Sequence, residues 1–389
     1  GFPTTSVKDL VIHPREHDLV IGTFGRAAWV LDDIRPLREM AKNTAIINSS
    51  IKLFEPPIGY QAAYQQPTGS RFGGDAMYHG ENREGGARFT YLFNKNDQAK
   101  SKEKENNEAS DEDLEEEIMN QVQIADKNET PNQVEGEKWD SLALTLYDGD
   151  RLIRTLKTKA PKENGLHKWT WYMDEAGVSR PSRTIKKQTI EPGGVLVKPG
   201  TYRAILKYGD FVSETTVNVA SDPRLKVSQK NIDEVYAAAK ELETLQETSA
   251  NAVKQLLESK TIAETYKKNL TKLDKEVFKD EIEASKIIVK AIDSLIDKYV
   301  GKVDKRQGIT RNPGVTPLQR LGNAANYVYD SQTGLTSTEI ILVKHAKDAL
   351  DTLFEETNSF FTKEWTDYQS TMKQVKIDPF KEIKTFGID

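Results

Sequence analysis

Between Asp9 and Asp33 the chain reads DLVIHPREHDLVIGTFGRAAWVLDD, its most patterned apolar stretch. Leu10 to Ile12 form one short strand, stopped by His13-Pro14. Leu19 to Thr23 form a second and Ala27 to Leu31 a third, with short polar turns and Gly22 and Gly25 between them. Three strands this short cannot bury their own apolar faces. They require a larger sheet system, and nothing downstream repeats them. The expectation is the last piece of a repeating β structure whose earlier repeats lie elsewhere.

The 389 residues suffice for two or three domains. A net charge of −5, without a basic stripe interleaved with aromatics, argues against nucleic acid as a partner. The absence of cysteine excludes disulfides, thiolate chemistry and cysteine-based zinc sites. No apolar run approaches the length of a membrane span. Gly1 in place of an initiator Met fits a processed form or a piece of a longer polypeptide.

Residues 1–37 are read as the closing strands and 38–86 as a connector. Pro36, Pro56, Pro57 and Pro67 punctuate this region, and Gly69 to Gly86 is glycine-rich. Tyr60, Tyr64, Phe72 and Tyr78 either pin the connector to its neighbours or line a groove. Residues 87–221 read as a β domain. Arg88–Phe93, Ser141–Tyr147, Arg151–Leu156, His167–Met173, Thr201–Tyr208 and Val212–Val219 alternate as half-buried strands do, and Asp148-Gly149 and Gly209-Asp210 supply turns. Six or seven short antiparallel strands suggest an immunoglobulin- or fibronectin-like sandwich. Trp169 and Trp171 project to one face, as core tryptophans or as a carbohydrate-stacking platform. The insertion 95–137 holds 5 Lys against 14 Asp and Glu and has no aromatic residue, so it reads as a mobile acidic loop. Its carboxylates lack the spacing of a calcium loop.

Residues 222–389 read as helical. Ser228 caps a helix whose stripe runs through Val235, Ala239 and Leu242 to Leu257. A second helix spans about Thr261 to Val300 and ends at Gly301, Leu318 to Tyr329 form a third, and Thr336 with Glu339 opens a fourth. Short connections suit an antiparallel helical bundle.

Four stretches carry a resemblance: Asp9 to Leu37, Lys52 to Pro56 (KLFEP), Lys198 to Leu206 (KPGTYRAIL) and Ser221 to Ser228 (SDPRLKVS). Together they resemble the C-terminal region of bacterial exported sortilin-like (Vps10-type), BNR-repeat β-propeller proteins, often labelled glycosyl hydrolases. The resemblance implies a multidomain β + α fold: a propeller blade remnant, a fibronectin-like sandwich and a C-terminal helical bundle. It also implies export to the periplasm, the outer membrane or the exterior, and the Lys- and Asn-rich composition is similar to Bacteroidetes versions. A sialidase-type site needs an arginine cluster, a tyrosine nucleophile and acidic partners drawn from several blades. Only Arg26, Asp32 and Asp33 lie on this one, where Trp29 to Asp33 looks like a decayed Asp-box, a folding motif.

Other chemistry is sparse. His13 and His17 are four apart, but Pro14 denies them a shared helical face; His79, His167 and His345 are isolated. No nucleophile elbow, zincin helix or phosphate loop occurs. Asp140-Ser141-Leu142, Asp293-Ser294-Leu295 and Asp351-Thr352-Leu353 match a short O-glycosylation pattern that arises readily by chance. The sequence therefore nominates no catalytic, metal or cofactor residue. Its candidate ligand contacts are Tyr60, Tyr64, Trp169 and Trp171. The expected role is a non-catalytic accessory region binding a protein partner in a cell-envelope or extracellular assembly, with peptide or glycan as further ligands. The alternative is part of a glycoside hydrolase whose site lies on other blades.

Overall fold

The computed structural model describes residues 2, 4–62, 84–95, 141–185, 190–302 and 315–375. The architecture is mixed α/β, with several sheets, one of them curled into a half-barrel, and a C-terminal helical region. The acidic loop expected after Lys95, together with Tyr64, Phe72, Tyr78 and His79, lies outside the described residues. Among the described residues no helix is long and apolar enough to cross a membrane. Two compact units result: Gly1–Ala176 with Leu196–Lys226, and Gly177–Val195 with Val227–Asp389.

The first unit opens with an antiparallel meander of β1 (Val7–Ile12), β2 (Leu19–Thr23) and β3 (Ala28–Leu31). Its pairing aligns Leu10, Ile21 and Trp29 in one cross-strand row and Val11, Val20 and Val30 in the next. Paired residues share a face and successive rows alternate. The sheet is therefore apolar on both faces. Helix α1 (Arg35–Lys42) follows, with Pro36 pre-set for its first turn.

Two further sheets share one core. The smaller has the order β4 (Ile51–Leu53), β6 (Ala87–Phe93), β9 (Gly165–Trp171). The larger runs β5 (Gly59–Gln61), β13 (Phe211–Ser221), β12 (Gly200–Tyr208), β7 (Ser141–Asp148), β8 (Arg151–Lys159). On β12, Tyr202, Ala204, Leu206 and Tyr208 point inward at period two. They meet Phe93 and Trp171 of the smaller sheet; Phe93 stands edge-on to Tyr208 at 5.0 Å between ring centroids. Each fully buried Leu or Phe of this core contributes about 1.5–3 kcal/mol.

Two features here depart from the expected all-antiparallel strands. The proline-rich connector supplies β4 and β5, and β5 pairs with β13 in parallel, Gly59 to Val219. Strands of three residues carry too little periodicity to announce themselves. Their sites are set by distant partners: the Leu53 amide donates to Ser213 Oγ at 2.8 Å. A Cβ at Gly59 would sit 2.8 Å from Met173 Sδ. A larger residue there would have to displace the Met173 side chain and crowd Ala87. β10 (Asp174–Ala176) and β11 (Gly193–Leu196) stand where the chain leaves this unit and returns.

The second unit is built on α2 (Gln229–Leu273), a 45-residue helix about 68 Å long. Ser228 Oγ accepts from the Asn231 amide at its start. The expected break near Thr261 does not occur. The hydroxyls of Thr261 and Thr265 bond back to the carbonyls of Leu257 and Thr261, so both threonines continue the helix instead of capping a new one. The break falls at Asp274, whose carboxylate accepts from the amides of Glu276 and Val277. Then come α3 (Lys279–Val300), α4 (Pro317–Tyr329) and α5 (Ser337–Phe360). A π-turn (Phe361–Trp365) leads into α6 (Thr366–Gln374). Capping boxes open α4 (Thr316 with Gln319) and α5 (Thr336 with Glu339). Two cores lie along α2. The first joins Leu242, Leu321, Ala324, Val328 and Leu350, together with Val195 from the excursion 177–195. The second joins Leu256, Leu270, Ile292, Tyr299, Leu353 and Trp365.

Candidate functional site

The aromatic candidates separate. Trp171 is fully buried, donates Nε1–H to the Asp174 carbonyl at 2.8 Å and stands edge-on to Tyr202. It has no surface to offer a sugar ring. Trp169, two residues earlier on the same strand, is half-buried against the same core and lies beside Tyr91. Tyr60 is on β5, in the other sheet, half-buried and paired with Ala220. Tyr64 lies outside the described residues.

The polar groups on and around the meander hold it together. The Asp32 carboxylate takes Arg88 at 3.0 Å and Lys168 at 3.5 Å, and Asp33 takes Arg35 at 2.6 Å. His13 Nδ1 accepts from the Glu16 amide and the His13 carbonyl from the His17 amide, so both histidines serve one turn. His167 Nε2 lies 2.9 Å from the Glu163 carbonyl, and His345 is exposed on α5. Among the described residues no three His, Cys, Asp or Glu side chains converge as metal ligands.

A cleft of about 1110 Å³ lies within the helical unit. One wall is the face of α2 from Glu243 through Ala250 and Lys254 to Leu257. A second is the face of α4 from Leu318 through Gly322 and Ala325 to Tyr329. These residues recur at three- and four-residue spacing, so each set shares one helical face. The third wall is extended chain, from Val178 to Ile185 and from Ile190 to Gly194. That wall is anchored. Arg183 donates to Asp297 Oδ1 at 2.6 Å and to the Gly301 carbonyl, Gln246 donates to the Val178 carbonyl, and Val195 enters the helical core.

The cleft carries a cationic surplus. Glu243 is the one carboxylate among its described lining residues; it is buried and ion-paired with Lys240. Arg180 and Lys254 also line it, and both are exposed. Lys254 has Glu258 at 3.9 Å one turn on, with both side chains in water. No ion pair joins Arg180 to a described carboxylate. Burial, then Glu243, pushes the Tyr329 phenol above its ordinary value, while Arg180 and Lys240 act in the opposite sense. Tyr329, Glu243 and Arg180 all line the cleft.

No family model, curated protein or solved structure matches this chain. What it does has to be argued from its own surfaces. Strand and cap patterns did not foretell the cleft, because its third wall is mostly irregular chain that folds against helices remote in sequence. The one local hint was Gly322, a glycine inside a short helix.

Proposed function

We propose that this chain is a non-catalytic accessory and interaction region of an exported sortilin-like, BNR-repeat β-propeller protein, serving as a protein-binding or scaffold part of a cell-envelope or extracellular assembly. In this reading β1 to β3 are the closing strands of the propeller, the two sheets on one core are a fibronectin-like sandwich, and the long helices are an antiparallel bundle.

One observation carries the reading: the meander is apolar on both faces, and its outer strands are exposed on both. Leu10 is 57% exposed on one face, and Val11 and Val30 are 55% and 57% exposed on the other. A sheet apolar on both faces belongs to the interior of a layered structure. Blades of a propeller meet their neighbours through both faces. Covering each half-exposed Leu or Val would contribute about 1 kcal/mol, several kcal/mol for the sheet. Asp32 and Asp33, the acids of the decayed Asp-box, are engaged in ion pairs that tie the meander down, in keeping with a folding motif.

Sequencing the natural polypeptide on the N-terminal side of Gly1 tests this. The expected result is a series of segments repeating the strand pattern of Asp9 to Asp33, preceded by an export signal. A polypeptide without such repeats overturns the propeller assignment. Turnover of a glycoside or peptide by this chain alone at about 1 per second or faster, the usual enzymic range, overturns the non-catalytic one.

A further inference from the structure

The helical unit holds a groove whose dimensions and charge select one kind of occupant. From Glu243 to Leu257 its α2 wall extends about 21 Å, and from Leu318 to Tyr329 its α4 wall extends about 17 Å, at about 1.5 Å per residue. Its 1110 Å³ exceeds the range of about 300–1000 Å³ typical of small-molecule pockets, and its lining follows both helices over several turns. An extended chain rises about 3.3 Å per residue, so five or six residues fill it.

The floor is kept low where such a chain would lie. Gly322 and Ala325 of α4 and Ala250 of α2 line the groove with small side chains, and a Cβ at Gly322 would meet nothing within 4 Å. A glycine there weakens the helix and fills no packing need. Two exposed cations, Arg180 and Lys254, stand in its lining against one carboxylate, Glu243, which is already paired with Lys240.

We propose that this groove binds an extended acidic peptide segment of a partner protein, about six residues long. Its terminal carboxylates meet Arg180 and Lys254, and its apolar centre lies over Gly322 and Ala325. The proposal rests on the reading of the chain as an interaction region but not on the propeller assignment, so the upstream sequence and the binding assay can fail separately.

The test is fluorescence anisotropy of the full chain with a labelled hexapeptide, Glu-Leu-Ala-Ala-Leu-Glu, beside its Gln-for-Glu counterpart. Saturable binding of the acidic peptide is expected, weakening as salt rises. R180Q and K254Q should each weaken it by about two- to fivefold, the range for exposed ion pairs. G322L, which places a side chain in the groove while favouring the helix, should abolish it in a protein that still unfolds cooperatively. Absence of saturable binding at millimolar peptide overturns the proposal. So does equal binding of the uncharged peptide, or undiminished binding by folded G322L.

Discussion

Replacing Gly322 by Ala separates a groove floor from an ordinary helix position. Gly322 is the sixth residue of the 13-residue α4. In a helix interior, glycine is about 0.8–1.0 kcal/mol less favourable than alanine, because it loses more backbone freedom on folding. The new methyl group meets no atom within 4 Å, so no packing penalty offsets the gain. For a unit of this size 1 kcal/mol shifts Tm by about 2–4 °C. The expected result is a rise of about 2–3 °C, read by circular dichroism of the helical unit. Gly301 supplies the control. It ends α3 at φ 77°, in the left-handed region, where an L side chain costs about 1–2 kcal/mol. Gly301→Ala should lower Tm by several degrees. If Gly322→Ala also destabilises, the space above α4 is filled in solution and the groove reasoning falls with it. If both changes stabilise, the helix boundary at Gly301 is misplaced.

Two further outcomes follow from buried and paired groups. Tyr299 is fully buried, and its hydroxyl lies 3.0 Å from Thr357 Oγ1, which also bonds the Leu353 carbonyl. T357V should cost about 1–3 kcal/mol in urea unfolding by stranding the phenol, Y299F about 0.5–1.5, and the double variant clearly less than their sum; strict additivity would show that the bond does not form. Hydrogen bonds from the Arg224 side chain, then its backbone amide, hold the Asp222 carboxyl below the usual carboxylate range. A lowered folded-state value means a contribution present above the unfolded pKa of about 4 and lost as pH falls through the folded value. Acid unfolding of the first unit should therefore depend less on pH below 4 in D222N than in the parent, and unchanged profiles would refute the linkage.

What could be read along the chain was what neighbouring residues decide. Alternation at period two placed β6, β7, β8, β9, β12 and β13 close to their observed spans, because one buried face enforces the pattern within each strand. Ser228, and Thr336 with Glu339, marked helix starts because a cap is satisfied within three residues. The two-faced apolarity of β1 to β3 was in the letters from Leu10 to Leu31, though only the register shows which side chains share a face. Tertiary structure alone decided the rest. It joined Gly59 in parallel to Val219, set Trp171 in the core instead of on a ligand platform, and carried α2 through Thr261 to Leu273. It also laid residues 178–185 and 190–194 along two helices to make the groove. Each of these outcomes depends on a partner far away in sequence, and the free energy that selects it appears only when that partner arrives.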